Sequence, residues 1–373
     1  MEKLTFKIRF SFTLLAIILF IYAIIIAKDF LYPIAFGILA SYLIYPFVNF
    51  LEKNKIPRIL AISLSLIIII ILMYLTASFI YSRLENLANG FPGLKKQALK
   101  NIEELLISIE NNIPVGGTTM ENFLKTRISF IFENSGIFFN NVFTATAGTI
   151  FKLLLLPVYV FLFLFYRTKF AHFILMITPY ENRLIVVKIL RDISKIVSKY
   201  LSGVLVVVLL LSLINSFGLM IIGLKYAVII GIISGFPAFI PYFGSILGGI
   251  IATCFSVLVS DDPVITFKIV IFYLVVVFIE HNILTPNIVG NNLRINPFII
   301  ILSLIIAGTI WGIPGMVVIV PFMAFLKIIT KYYPGLKPYA FLLGMRGAKR
   351  HAFNFPTIKE IINRKKIEHS DED

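Results

Sequence analysis

The amino-acid sequence predicts an all-α, polytopic membrane protein with about six full transmembrane helices plus two helical hairpins, re-entrant or double-spanning, in an order compatible with an inverted repeat. Three observations carry this expectation. Of the 373 residues 59% are hydrophobic and only 14% are charged, whereas a soluble domain carries about 25% charged residues. Uncharged stretches such as Ser11–Ala27 and Ile59–Tyr81 approach or exceed the length that crosses roughly 30 Å of hydrocarbon at about 1.5 Å per residue. Two longer apolar stretches near the C-terminus are broken by Gly and Pro.

The formal net charge is +15, but a nucleic-acid module would gather its Lys and Arg on a soluble face beside exposed aromatics. Here the basic residues flank the apolar spans, the pattern of cytoplasmic loops facing anionic lipid. No nucleic-acid partner is expected. Cys254 is the lone cysteine, which excludes an intrachain disulfide or a cysteine-based metal cluster. It reads as a small apolar packing residue.

Residues 1–81 hold the first three spans. Ser11–Ala27 follows Lys3, Lys7 and Arg9 like a signal peptide but lacks a small-x-small cleavage site, and is read as a retained span. Lys28 and Asp29 lead into Phe30–Leu51, which carries Pro33 and Pro46, and the two spans are expected to pair as a tight helical hairpin. After the charged link Glu52–Arg58 comes Ile59–Tyr81, apolar on all sides as a lipid-embedded helix should be.

Residues 82–140 change character: six basic residues are matched by six acidic ones, and Leu94, Ala98, Ile102, Leu105, Leu106 and Ile109 recur at helical spacing. A small amphipathic domain outside the membrane follows, split into two helices at Pro114–Thr118. Residues 141–199 hold a fourth span, Val142–Tyr166 with a lone Lys152, and then a segment with seven Lys or Arg against two acids. That excess is cytoplasmic by the positive-inside rule. Ile185, Ile189, Ile193, Ile196 and Tyr200 mark its second half as a basic amphipathic helix on the inner membrane surface, running into the fifth span, Tyr200–Ile222. Counting crossings from a cytoplasmic N-terminus puts residues 82–140 outside and 167–199 inside.

Residues 200–330 form the expected core. Tyr226–Val259 is interrupted by Gly235, Pro237, Pro241 and Gly244, and Ile295–Ile329 by Gly308, Gly312, Pro314 and Gly315. Each should give two half-helices of about 15 residues, about 22 Å each. One full span, Val264–Leu284, lies between, so the hairpins would enter from opposite faces, as broken helices do in inverted-repeat transporters. Residues 331–373 form a basic cytoplasmic tail ending in Asp371-Glu372-Asp373.

The densest polar group at membrane depth is Glu280 to Gly290. A carboxylate inside a span is costly and is usually retained for an ion or proton pathway; alternatively Glu280 and His281 pair at the headgroup boundary. Glu280, Asn282, Thr285, Pro286, Asn287 and Gly290 are the candidate substrate or ion pathway. Pro237, Pro241 and Gly244 form one hairpin tip and Gly312, Pro314 and Gly315 the other, either as gates or as tight turns. Enzyme signatures are missing: there is no His-Glu-x-x-His, phosphate-binding Gly-x-x-x-x-Gly-Lys-Ser/Thr or Gly-x-Ser-x-Gly. Asp29, Asp192, Asp261 and Asp262 lie at span ends, against an aspartyl intramembrane protease. Neither enzymatic activity, cofactor nor metal is expected.

The tip Phe236–Gly244, the run Glu280–Gly290 with its Thr-Pro-Asn-Ile-Val-Gly core, Asn296-Pro297 leading to Ala307-Gly308, Gly312, Gly315 and Pro321, and Tyr200-Leu201-Ser202-Gly203 together resemble the AI-2E (autoinducer-2 exporter) family of bacterial permeases. Members often carry His where this chain has Asn296. The resemblance implies a homo-oligomeric, for example pentameric, multi-pass permease of the inner membrane. It further implies export of a small polar solute such as a furanone-type quorum signal, or sodium/proton exchange. A non-transporting membrane scaffold or regulator is the competing class.

Overall fold

The computed structural model describes residues 2–90, 93–94, 96–101, 103–104, 155–260, 262–290 and 295–345. Most of the 82–140 domain with its Pro114–Thr118 break, the first part of the fourth span with Lys152, and the tail beyond residue 345 lie outside them. The described residues are helical apart from short links and one isolated antiparallel bridge between Ile295 and Gly344. Five helices are long and apolar enough to cross a membrane, or six with one bent pair counted as a span. The chain is therefore an all-α, multi-pass membrane protein.

The first elements are α1 (Glu2–Ile26), α2 (Lys28–Lys53) and α3 (Arg58–Asn89). An antiparallel pair of helices needs a connection of about two to five residues, and α1 and α2 are joined through Ala27 alone. Helical bonds run into and out of it, Ala27 N–H to Ala23 O at 2.9 Å and Leu31 N–H to Ala27 O at 2.8 Å. The joint is a bend, and the expected tight hairpin is not formed. The third span continues as one helix to Asn89 rather than stopping at Tyr81. Its Ile-rich centre, including Ile67, Ile70 and Ile71, is exposed, as a lipid-facing surface would be.

Helix α4 (Leu155–Phe165) bends by 57° into α5 (Arg167–Met176). It is followed by α6 (Arg183–Ile222), a single helix of 40 residues, about 60 Å long. The sequence reading laid its basic half flat on the membrane surface. Sharp kinks arise at a proline, a Gly/Ser pair, a π-bulge or an inserted group, and the helix runs unbroken from Arg183 to Ile222 with no proline inside it. The apolar stripe of this half is instead covered by protein: Ile189, Ile193 and Val197 share one core with Ala35 and Leu39 of α2. Ser198 Oγ donates to Tyr42 O at 2.6 Å.

The remainder of α6 carries the first hairpin, α7 (Ala227–Gly235) and α8 (Gly244–Val259). Gly231 and Gly235 of α7 lie against the backbone of Ser216 and Ser212, and Gly248 of α8 against Ser234 O. These positions repeat every four residues and let the helix axes approach closely, the packing that holds helices where lipid is as apolar as leucine. A 3₁₀ turn at Phe236–Phe239 and Tyr242 with φ +70° complete the tip. There Gly244 rests on the backbone of Pro237 and Ala238.

Helix α9 (Pro263–Ile279) is capped by Asp262, whose carboxylate accepts the Val264 N–H at 2.9 Å. It continues through a π-turn, Glu280–Leu284, into α10 (Thr285–Ile288). The second hairpin is α11 (Pro297–Trp311) and α12 (Ile313–Tyr332). Its halves are unequal, 15 and 20 residues, and the reversal between them occurs at Gly312 alone, with φ +66° and ψ −149°. The longer half is about 30 Å, long and apolar enough to cross a membrane by itself. Asn296, the position that departs from the family pattern, is the N-cap of α11, accepting the Phe298 N–H at 3.0 Å. Helix α13 (Lys337–Leu343) closes the described chain.

Contacts sort the connections onto two ends of α6. Near its start, Arg167 pairs with Glu52, Arg58 donates to Leu164 O and Thr168 Oγ1, and Tyr332 donates to Asp192. The second hairpin opens there. Near its end, Gly90 meets Tyr226, and Asn101 Nδ2 donates to Val257 O and Ser260 O at 3.1 and 2.6 Å. The first hairpin opens on that end, so the two hairpins run in opposite senses.

Two predictions follow from this packing. Gly248→Ala forces a Cβ into Ser234 O and should destabilise the detergent-solubilised protein by about 1–3 kcal/mol, read as a lowered thermal midpoint. Gly93→Ala, with open space around it, serves as the neutral control. For topology, exposed Lys100 and Lys188 are each replaced by Cys in a Cys254→Ser background. An impermeant maleimide on intact cells should label position 100 and spare position 188; equal labelling would overturn the assignment of the basic end to the cytoplasm.

Candidate functional site

The π-turn decides which polar residues face inward. Thr285 N–H bonds to Glu280 O, an i→i+5 closure. In a regular α-helix residues five apart diverge by about 140°; the wider turn brings Glu280 and Thr285 to one side. Pro286 has no N–H to return to the helix ladder. Two neighbouring side chains fold back onto the backbone, His281 Nδ1 to Val277 O at 2.9 Å and Asn282 Nδ2 to Phe278 O at 2.8 Å. Such single π-turns are frequent at functional positions.

Glu280 opens onto a cavity of about 290 Å³. Its walls come from four places: Tyr200 and Val207 of α6, Ala238, Pro241 and Tyr242 of the first hairpin tip, Thr285, Pro286 and Gly290 beyond the π-turn, and Ile300 and Val320 of the second hairpin. Met345, beyond α13, also reaches it. The approach of α6 to this wall depends on Gly203, which lies against Val289 Cα and Ile288 O.

Glu280 is only 8% exposed. Its Oε2 is buried with no hydrogen-bond partner among the described residues. The nearest cationic candidate is His281, at 3.9 Å from Nδ1 to Oε2. That nitrogen already engages Val277 O, so this approach is not a hydrogen bond. Among the described residues no Lys or Arg lines the cavity. A carboxylate so placed can hold a proton or attract a cation, beside hydroxyls from Tyr200, Tyr242 and Thr285 that can hydrogen-bond a small polar molecule.

Of the residues singled out in the sequence, Glu280, Thr285, Pro286 and Gly290 lie on the cavity wall, as does Pro241. Asn282 and Asn287 are exposed and do not line it. Pro237 and Gly244 brace the first tip from behind. Gly312, Pro314 and Gly315 form the second tip away from the cavity, where Trp311 Nε1 donates to Ile24 O at 3.2 Å; that hairpin contributes Ile300 and Val320 from along its two helices.

Sequence reasoning missed Tyr200 and Tyr242 as wall residues. It also missed a buried polar cluster behind the cavity: Tyr273 and Asn215 both donate to Ser234 Oγ, at 2.6 and 3.2 Å, and Ser234 donates to Gly231 O. An Asn in the middle of an apolar span was the available signal for it.

Comparison with known proteins identifies the family. The model of the AI-2E family transporter matches residues 14–335. "Putative transport protein YrrI" of Bacillus subtilis is 27% identical over 323 residues, covering 83% of this chain and 88% of that protein. "Putative transport protein YueF" of the same organism is 29% identical, with 82% and 84% covered. "AI-2 transport protein TqsA" of Escherichia coli is 24% identical, with 85% and 90% covered. With a match across most of its length, through both hairpins and the segment that bears Glu280, the chain belongs to the AI-2E family of transporters.

Proposed function

We propose that the protein is an inner-membrane permease that exports a small polar solute through the cavity at Glu280, with the Glu280 carboxylate as its ion-coupling group. The observation that carries this reading is the solitary charge. An ionised carboxylate taken out of water costs several kcal/mol, as an order of magnitude, unless it is paired. Among the described residues the only cationic candidate near Glu280 is His281, without a hydrogen bond, and the carboxylate faces an open cavity, so a proton or a cation such as sodium would occupy it during the cycle. The cavity is sized for a small molecule, and its hydroxyls suit a polyol-like solute. The name of the Escherichia coli relative TqsA makes an autoinducer-2-type furanone the first solute to test. Sodium/proton exchange without a second solute is the alternative, and the same unpartnered carboxylate favours it.

Glu280→Gln keeps size and hydrogen bonding but removes the charge. In proteoliposomes it should abolish the dependence of solute flux on a pH or sodium gradient while protein level stays unchanged. Normal flux with unchanged gradient dependence would reduce Glu280 to a boundary residue. If sodium/proton exchange is the whole activity, the wild type will collapse a sodium-driven pH gradient with no solute present. An inert wild type in both assays would favour the scaffold class. Self-association belongs to the same proposal and rests on the family: mass photometry in mild detergent should show a particle several times the 42.2 kDa monomer, and a monomer in every detergent would contradict it.

A further inference from the structure

A second, larger cavity of about 440 Å³ lies at the opposite, basic end of the fold, between α2, the α4–α5 bend and α6. Arg167, Arg191, Thr168 and Ser194 stand on its wall together with Tyr45 and Phe170. Arg167 stacks on the Tyr45 ring at 5.1 Å and gives Nη2 to Glu52, while its Nη1 has no partner among the described residues. Arg191 makes no ion pair or hydrogen bond among them. Arg58, which holds Thr168, adds a third positive charge behind the wall, and Glu52 is the one carboxylate paired into this group. The site is therefore net positive.

The position within the chain specifies the level in the membrane. Arg167 stands where α4 ends and bends, and Glu52 where α2 ends, and the ends of apolar helices are where lipid headgroups would lie. The rest of the cavity wall is largely apolar and aromatic, with Phe163 and Ile174. A paired set of forked cationic donors suits phosphate geometry, and an apolar wall beside it suits a glycerol and acyl chain. Basic pockets between spans on the cytoplasmic side commonly take such headgroups.

We propose that this cavity is a binding site for the phosphate of an anionic phospholipid, held by Arg191 and Arg167 with the lipid body on the aromatic wall. The reading is independent of the transport cavity, since the two share no wall residue.

The test is native mass spectrometry of the full-length protein in detergent, titrated with phosphatidylglycerol or phosphatidylcholine, with sn-glycerol 3-phosphate as soluble competitor. Arg191→Gln should weaken phosphatidylglycerol binding about tenfold, the loss of one charge-assisted contact. Its thermal midpoint without lipid should be unchanged, because Arg191 is exposed and unpaired. Lys225→Gln, at the other end of α6, should bind like wild type. Ser194→Trp, which fills the cavity and keeps its charges, should also lose lipid. Equal phosphatidylglycerol affinity in Arg191→Gln and wild type would overturn the proposal, as would equal binding of phosphatidylcholine. Displacement of the lipid by glycerol phosphate at comparable concentration would assign the site to soluble phosphates and overturn the lipid reading.

Discussion

Hydrocarbon offers no water to an open backbone, so a membrane protein can break a helix only where protein covers the break. In this chain α6 supplies much of that cover. Its Ser212 and Ser216 let α7 approach through Gly235 and Gly231, and its Gly203 lets the segment after the π-turn approach at Ile288 and Val289. Ala238 and Ile240 of the first hairpin tip, and Val289 just after the π-turn, are thereby buried beside one continuous helix. Both irregular segments then contribute side chains to the same cavity. Without small residues at these contacts, the two breaks would be exposed to lipid and the cavity would lose two of its walls.

The second hairpin solves the same constraint differently. Gly312 reverses the chain in one residue with a backbone that a side chain would strain, and Gly315 sits on Ala307 O so that the two helices close directly above the turn. Trp311 then fastens the tip to α1 through its indole N–H. This tip is braced against a neighbouring helix, whereas the first tip borders a cavity. The two hairpins run in opposite senses but perform unequal tasks, one lending its turn to the cavity and the other lending the flanks of its helices.

Much of this was legible in the sequence. Gly and Pro punctuation marked both hairpins, charge asymmetry marked the basic end, and the polar run from Glu280 marked the segment that opens on the cavity. What was not legible was phase. With regular helical spacing there was no ground for separating Thr285 from Asn282 and Asn287 as partners of Glu280, because the π-turn that rotates them apart has no compositional signature. The same applies to α6: periodicity found the stripe Ile189, Ile193 and Tyr200, but not whether lipid or α2 covers it, since both are apolar. The one-residue joint at Ala27 escaped for a related reason, charged Lys28 and Asp29 having suggested a turn.

The orientation of Glu280 is fixed from a distance. Tyr273 lies about two helical turns before it on α9, hence on nearly the same face, and Val276 between them is 2% exposed. The Tyr273 hydroxyl donates to Ser234 Oγ of α7, which also accepts from Asn215 of α6 and donates its own O–H to Gly231 O. Three helices thus meet at one hydroxyl. Apolar packing alone leaves a helix free to slide or rotate among similar side chains, since lipid competes for the same surface; an interhelical hydrogen bond of about 1 kcal/mol is lost on a small rotation and so selects one phase. The clip at Ser234 therefore sets the rotation of α9 and, through it, the side of the helix on which the unpartnered carboxylate emerges. The Glu280 side chain lines the cavity, and a neutral buried cluster on the same face of α9 is placed to hold that register.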